Sequence, residues 1–100
     1  MATAVLSALA SAATAAIPAA RQAELLYLLR QDCGSCHGMR LSGGLGPALL
    51  PERLRHWDSR LLATTILQGR PGTPMPPWQP FLTHEEALWL ADQLKRGIRP

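Results

Sequence analysis

The sequence predicts an all-α fold, and three observations carry that prediction. Apolar residues recur at helical spacing in three stretches, 21–32, 59–68 and 84–97. No segment alternates apolar and polar residues or gathers β-branched ones as a strand would. Glycine and proline are concentrated in "SGGLGPALLPE" (42–52) and "GRPGTPMPPWQPF" (69–81), which reads as two long irregular loops between the helices.

The first helical stretch, "RQAELLYLLRQD", is built of strong helix formers, places Leu25, Leu28 and Leu29 on one side, and runs directly into Cys33. The second, "SRLLATTILQ", carries Leu62, Ala63, Ile66 and Leu67 on one face and stops at Gly69, a natural residue to follow a helix end. The third begins after Thr83, whose hydroxyl can cap the helix while Glu86 closes the capping box. Its Ala87, Leu90, Ala91, Leu94 and Ile98 share a face, with Asp92, Gln93, Lys95 and Arg96 expected outward.

Residues 1–20 contain no charged residue and are dominated by alanine, whereas all ten basic and seven acidic residues lie from Arg21 onward. An uncharged run ending in small residues reads as an export leader, cleaved after Ala15 or between Ala16 and Ala20, although the usual basic residue near the start is missing. The competing reading, an uncleaved anchor, is disfavoured because alanine is a poor membrane residue and Leu, Ile and Val are few. The expected organisation is a leader over 1–20 and one domain over 21–100.

A domain of that size builds only a marginal core and usually recruits a covalent or metal staple. The only two cysteines stand in "QDCGSCHGM", as Cys33 and Cys36 followed at once by His37. A thioredoxin-type disulfide would need a βαβ setting, which is absent from the pattern. Zinc would need a second pair of ligands at short spacing, and the chain offers only scattered histidines. Covalent haem attachment accounts for all three residues: each thiol adds across one vinyl group of the porphyrin, and the adjacent imidazole ligates iron.

The other axial ligand is sought among Met39, Met75, His56 and His84. Met39 is too close to His37 to reach the opposite face of a porphyrin, and His84 reads as solvated at a helix start. His56 stands among charged neighbours. Met75 sits in a segment stiffened by Pro71, Pro74, Pro76, Pro77 and Pro80, which presents a sulfur with little loss of chain entropy on folding. Its separation from His37 lets the chain pass round the ring edge.

With "CGSCHG", Gly46–Pro47, "ILQG", "MPPW" and the capped terminal helix "ALWLADQL", the chain resembles the class I cytochromes c over nearly all of 21–100. The resemblance implies three or four helices wrapped around one covalently bound haem c. It also implies a hydrogen bond from the His37 imidazole to the Pro47 carbonyl and packing of the first helix across the last, Leu25 and Leu29 against Leu90 and Leu94. The cofactor-binding residues would be Cys33, Cys36, His37, Pro47 and Met75, with His37 and Met75 on the iron. More narrowly, the runs 21–52 and 64–83 resemble the small NirC-type cytochromes of denitrifying bacteria, which are periplasmic and linked to nitrite reductase.

An iron ligated on both faces has no open position, which favours electron transfer over substrate chemistry and argues against an enzyme such as a peroxidase. Two roles stay open: a carrier passing single electrons to or from nitrite reductase, and an electron acceptor during maturation of that enzyme's d-type haem. Expected partners are periplasmic redox proteins or assembly factors, met through small, charge-steered interfaces. The net charge of +3 is almost wholly arginine, and Arg40, Arg53, Arg55 and Arg70 fall in loops able to border the haem edge. No basic stripe interleaved with aromatics suggests nucleic-acid binding. After leader cleavage no stable membrane contact is expected.

Overall fold

The computed structural model describes residue 3 and residues 16–98; within them the chain is helical, with no strand. The leader expected over 1–20 thus lies largely outside the described residues. No helix among the described residues is long and apolar enough to cross a membrane.

Helix α1 spans Ala19–Leu28, starting after Pro18 and two residues earlier than the charge boundary at Arg21 suggested. It passes without interruption into a π-helical turn, Leu29–Cys33, and a short helix α2, Gly34–His37, that ends at Gly38 with φ 93°. The sequence pattern predicts a regular helix up to Cys33, and the wide turn is a departure from it. Such turns cluster at functional sites because they re-aim the side chains that follow.

A second departure is α3, Pro51–Leu54, which starts on the last two residues of the 42–52 segment expected to be irregular. Leu50 is extended, Pro51 takes the first helical position, where its missing N–H costs nothing, and Glu52 lies in the first turn, favourable to the helix dipole. The turn buries Leu54.

Helix α4, Ser59–Gln68, has the predicted limits, with the Asp58 carboxylate accepting from the Arg60 N–H at 2.7 Å and Gly69 following the last residue. Helix α5, His84–Arg96, carries the predicted capping box: Thr83 Oγ1 accepts from the Glu86 N–H at 3.1 Å, and Glu86 Oε1 accepts from the Thr83 N–H at 2.9 Å.

Helix α5 lies chiefly along α4 and also touches α3 and α1. Leu25, Leu29, Leu90 and Leu94 join one buried cluster with Leu41, Leu54, Leu62, Leu82 and Ala91, so the first and last helices do share a core. Arg21 fastens that contact by donating to both carboxylate oxygens of Glu86 and to the Phe81 carbonyl. Asp92 and Lys95 are half-buried rather than outward. Asp92 accepts from the Ser59 hydroxyl at 2.9 Å, and Lys95 donates to the Trp57 carbonyl, so the polar rim of α5 ties it to α4 and to the turn between α3 and α4.

Candidate cofactor site

Between these helices lies a cavity of about 510 Å³ with a mainly apolar wall. Leu28 and Leu29 come from the first helical run, Leu62 and Ile66 from α4, and the half-buried Trp57 and Trp78 from the loops. Cys33, Cys36, His37, Pro47 and Met75 all line this one space. His56, His84 and Met39 are exposed and do not.

The His37 ring is held from one side. Its Nδ1 lies 2.7 Å from the Pro47 carbonyl oxygen. A carbonyl can only accept, so Nδ1 carries the hydrogen and Nε2 keeps its lone pair free. The loop that brings Pro47 there is stitched to α2: the Gly43 N–H donates to the His37 carbonyl at 2.8 Å, and the Gly46 N–H to the Cys36 carbonyl at 2.7 Å. Gly46 passes so close to the imidazole that a Cβ at this position would stand 2.7 Å from His37 Cε1 and 2.8 Å from Nδ1. Only glycine lets the loop approach the ring.

Met75 is half-buried on a loop closed at both ends. Gly69 turns the chain with φ 67°, and its Arg70 neighbour donates its N–H to the Met75 carbonyl at 3.2 Å. The Thr73 hydroxyl donates to the Arg70 carbonyl at 2.6 Å and accepts from the Met75 N–H at 3.3 Å. Beyond the methionine, Trp78 and Gln79 donate to the carbonyls of Ile66 and Leu67, which the end of α4 would otherwise leave unpaired. Sequence reasoning credited the stiffness of this loop to proline. Thr73, a hydroxyl residue two positions before the methionine, is a contributor it overlooked, and its side-chain turn potential was the available signal.

The two cysteines form no disulfide with each other. Burial, with smaller contributions from Asp32 and Cys36, pushes the Cys33 thiol up to about 11, so it stays neutral near pH 7. Among the described residues, no three His, Cys, Asp or Glu side chains are grouped so as to hold a metal ion by themselves. What the site offers is an apolar slot, two thiols, one oriented imidazole and one thioether. That set fits a flat, covalently attached iron porphyrin better than a bare ion.

Comparison with known proteins agrees. Residues 18–93 match the family described as cytochrome c oxidase, cbb3-type, subunit III. The chain is 60% identical to cytochrome c55X of Pseudomonas aeruginosa over 79 residues, which is 79% of this chain and 66% of that relative, so it spans just under two thirds of that protein. Among solved structures it superposes on the c-type cytochrome NirC with a TM-score of 0.81 at 58% identity, covering 84% of this chain and 100% of the other. It also matches dihydro-heme d1 dehydrogenase NirN, solved in complex with DHE, with a TM-score of 0.66 at 37% identity over 73% of this chain and 16% of that one. Fold, cavity and relatives converge: the chain belongs to the cbb3-type subunit III family of c-type cytochromes, electron carriers of class I cytochrome c fold with covalently bound haem c.

Proposed function

We propose that the chain is a periplasmic monohaem cytochrome that exchanges single electrons with the nitrite reductase system of denitrification. The observation that carries the chemistry is the convergence of Cys33, Cys36, His37 and Met75 on one apolar cavity. Cys33 and Cys36 would hold the haem through thioether bonds, and His37 Nε2 and Met75 Sδ would ligate its iron. When bound, the haem supplies a one-electron ferric/ferrous couple.

The chain's own residues set how that couple behaves. The Pro47 carbonyl fixes the His37 tautomer and raises the basicity of Nε2. Met75 presents a soft, neutral sulfur, which favours the lower oxidation state compared with a second imidazole. The leucine and tryptophan lining excludes water and disfavours the more highly charged state, which moves the potential the same way. Gly69, Thr73 and the hydrogen bonds from Trp78 and Gln79 hold the methionine loop in one conformation, which limits reorganisation on electron transfer.

The export leader is proposed to lie within residues 1–20. Ile17 packs against the core and Ala19 already opens α1, which favours the cleavage option near Ala15 over one after Ala20. The likeness to NirC supports the denitrification setting.

A second reading, electron acceptor during maturation of d-type haem, is favoured by the likeness to dihydro-heme d1 dehydrogenase. The deciding experiment is the haem content of nitrite reductase from a strain lacking this protein. A fully loaded but electron-starved reductase is expected for a carrier, whereas a reductase without its d-type haem selects the maturation role. The site itself is checked with Met75→Ala. Haem should remain covalently attached while the ferrous protein gains rapid carbon monoxide binding, and a variant that binds no faster than the parent would remove Met75 from the iron.

A further inference from the structure

Two guanidinium groups border the mainly apolar cavity: Arg53 from α3 and Arg70 from the loop that carries Met75. Neither pairs with a carboxylate among the described residues, where the ion pairs are those of Arg21 with Glu24 and Glu86. The cavity wall has one carboxylate of its own, Asp32, beside Cys33 at the thiol end, and it too makes no ion pair with either arginine. Arg40 and Arg55 are equally unpaired but stand outside the lining. A guanidinium beside a water-excluding slot is best satisfied by a carboxylate on whatever fills that slot, through paired N–H donors that lysine cannot reproduce. A porphyrin of the haem type carries two carboxylate side chains.

We propose that Arg53 and Arg70 bind the two carboxylates of the haem, and that Arg70 thereby couples the acidic edge of the cofactor to the methionine loop; the proposal rests on the haem reading above. Arg70 is suited to coupling because its backbone is the root of that loop. Its N–H donates to the Met75 carbonyl, and its own carbonyl accepts from both the N–H and the hydroxyl of Thr73. Anchoring the guanidinium on the cofactor therefore restrains the backbone that places Met75. Arg53, on a different element, shares no such connection, so the two arginines should differ in a predictable way. Arg70 is in this sense a positioning residue.

The test uses the haem-loaded protein and its Arg53→Gln, Arg70→Gln, Arg53→Lys and Arg70→Lys variants, with Arg40→Gln and Arg55→Gln as charge-matched controls. Two quantities are read: the reduction potential, and the apparent affinity of the ferric protein for imidazole, which competes with Met75. Each cavity Gln variant is expected to shift the ferric/ferrous equilibrium toward ferric by up to about tenfold, which is about 59 mV for a one-electron couple. Arg70→Gln should also bind imidazole several-fold more tightly, while Arg53→Gln should not. Arg70→Lys keeps the charge but not the fork, so its potential should stay near that of the parent while its imidazole affinity still rises. That variant also reads the coupling if Arg70→Gln fails to accumulate.

Cavity variants that match Arg40→Gln and Arg55→Gln in both readouts overturn the proposal. So does slower electron exchange with a partner protein at unchanged potential and imidazole affinity, which would make these residues docking groups. A parent protein without the absorption bands of thioether-linked haem would instead remove the haem reading itself, so the two failures are told apart.

Discussion

A single methyl group at position 46 is enough to test how tightly the His37 side of the site is packed. The Cβ of Gly46→Ala would meet the imidazole at 2.7 Å, closer than carbon and nitrogen tolerate, so either the ring or the 43–47 loop must move. Overpacking of this kind costs about 1–3 kcal/mol, and urea unfolding should show that loss together with a weakened Nδ1 hydrogen bond to Pro47. On the Met75 side, Gly69→Ala combines two penalties. The residue must keep φ 67°, and its Cβ would lie 2.7 Å from the Met75 carbonyl oxygen. With ψ −168° this is a conformation essentially restricted to glycine, and the conformational penalty alone is about 1–3 kcal/mol. The expected result is a protein of lower stability that takes up carbon monoxide faster than the parent, measured by ligand binding to the ferrous form.

At the scale of elements, the contact between α1 and α5 depends on Arg21 and Glu86. The Arg21 guanidinium, aided by the Thr83 N–H, holds the Glu86 carboxyl below its ordinary value of 4.5. A carboxylate whose pKa is lower in the folded state binds protons better when the chain is unfolded, so its contribution is complete above about pH 4.5 and is lost as pH falls through the folded-state value. Glu86→Gln keeps a side chain that can still close the capping box and removes only the charge, so it should cost about 0.2–1 kcal/mol near neutral pH, the worth of a partly exposed ion pair. The gap in Tm between parent and variant should close on acidification from pH 6 to pH 3. A gap that stays constant would show that the charge on Glu86 is immaterial. Leu90, 1% exposed on the same helix, anchors the core against α4 and α1. Leu90→Ala should cost about 2–5 kcal/mol, read by chemical denaturation of the loaded protein.

For the whole molecule, the cavity sits where a small domain would otherwise place its core, so the group that fills it is expected to be a structural element as well as a redox one. The Cys33→Ala, Cys36→Ala double variant should be largely unfolded by far-ultraviolet circular dichroism, and a folded, haem-free protein would contradict that dependence. Much of the architecture was legible in the sequence because it is encoded locally. The apolar stripe of 59–68, Gly69 after it and the Thr83–Glu86 box each follow from spacing of a few residues, and the structure places α4 and α5 accordingly. The π-helical turn at Leu29–Cys33 and the short α3 were not legible, because each depends on what the neighbouring elements bury. Chemistry at short range likewise marked Cys33, Cys36 and His37, since one porphyrin requires two thiols and an imidazole within a turn of chain. Tertiary structure alone decided which of the four arginines expected in loops line the cavity, that one of these, Arg53, stands on the short helix α3, and that Asp92 and Lys95 turn inward to bind α5 to its neighbours. The physical reason is reach: hydrogen bonds and burial between residues tens of positions apart leave no periodic trace in the chain and exist only once the helices have packed.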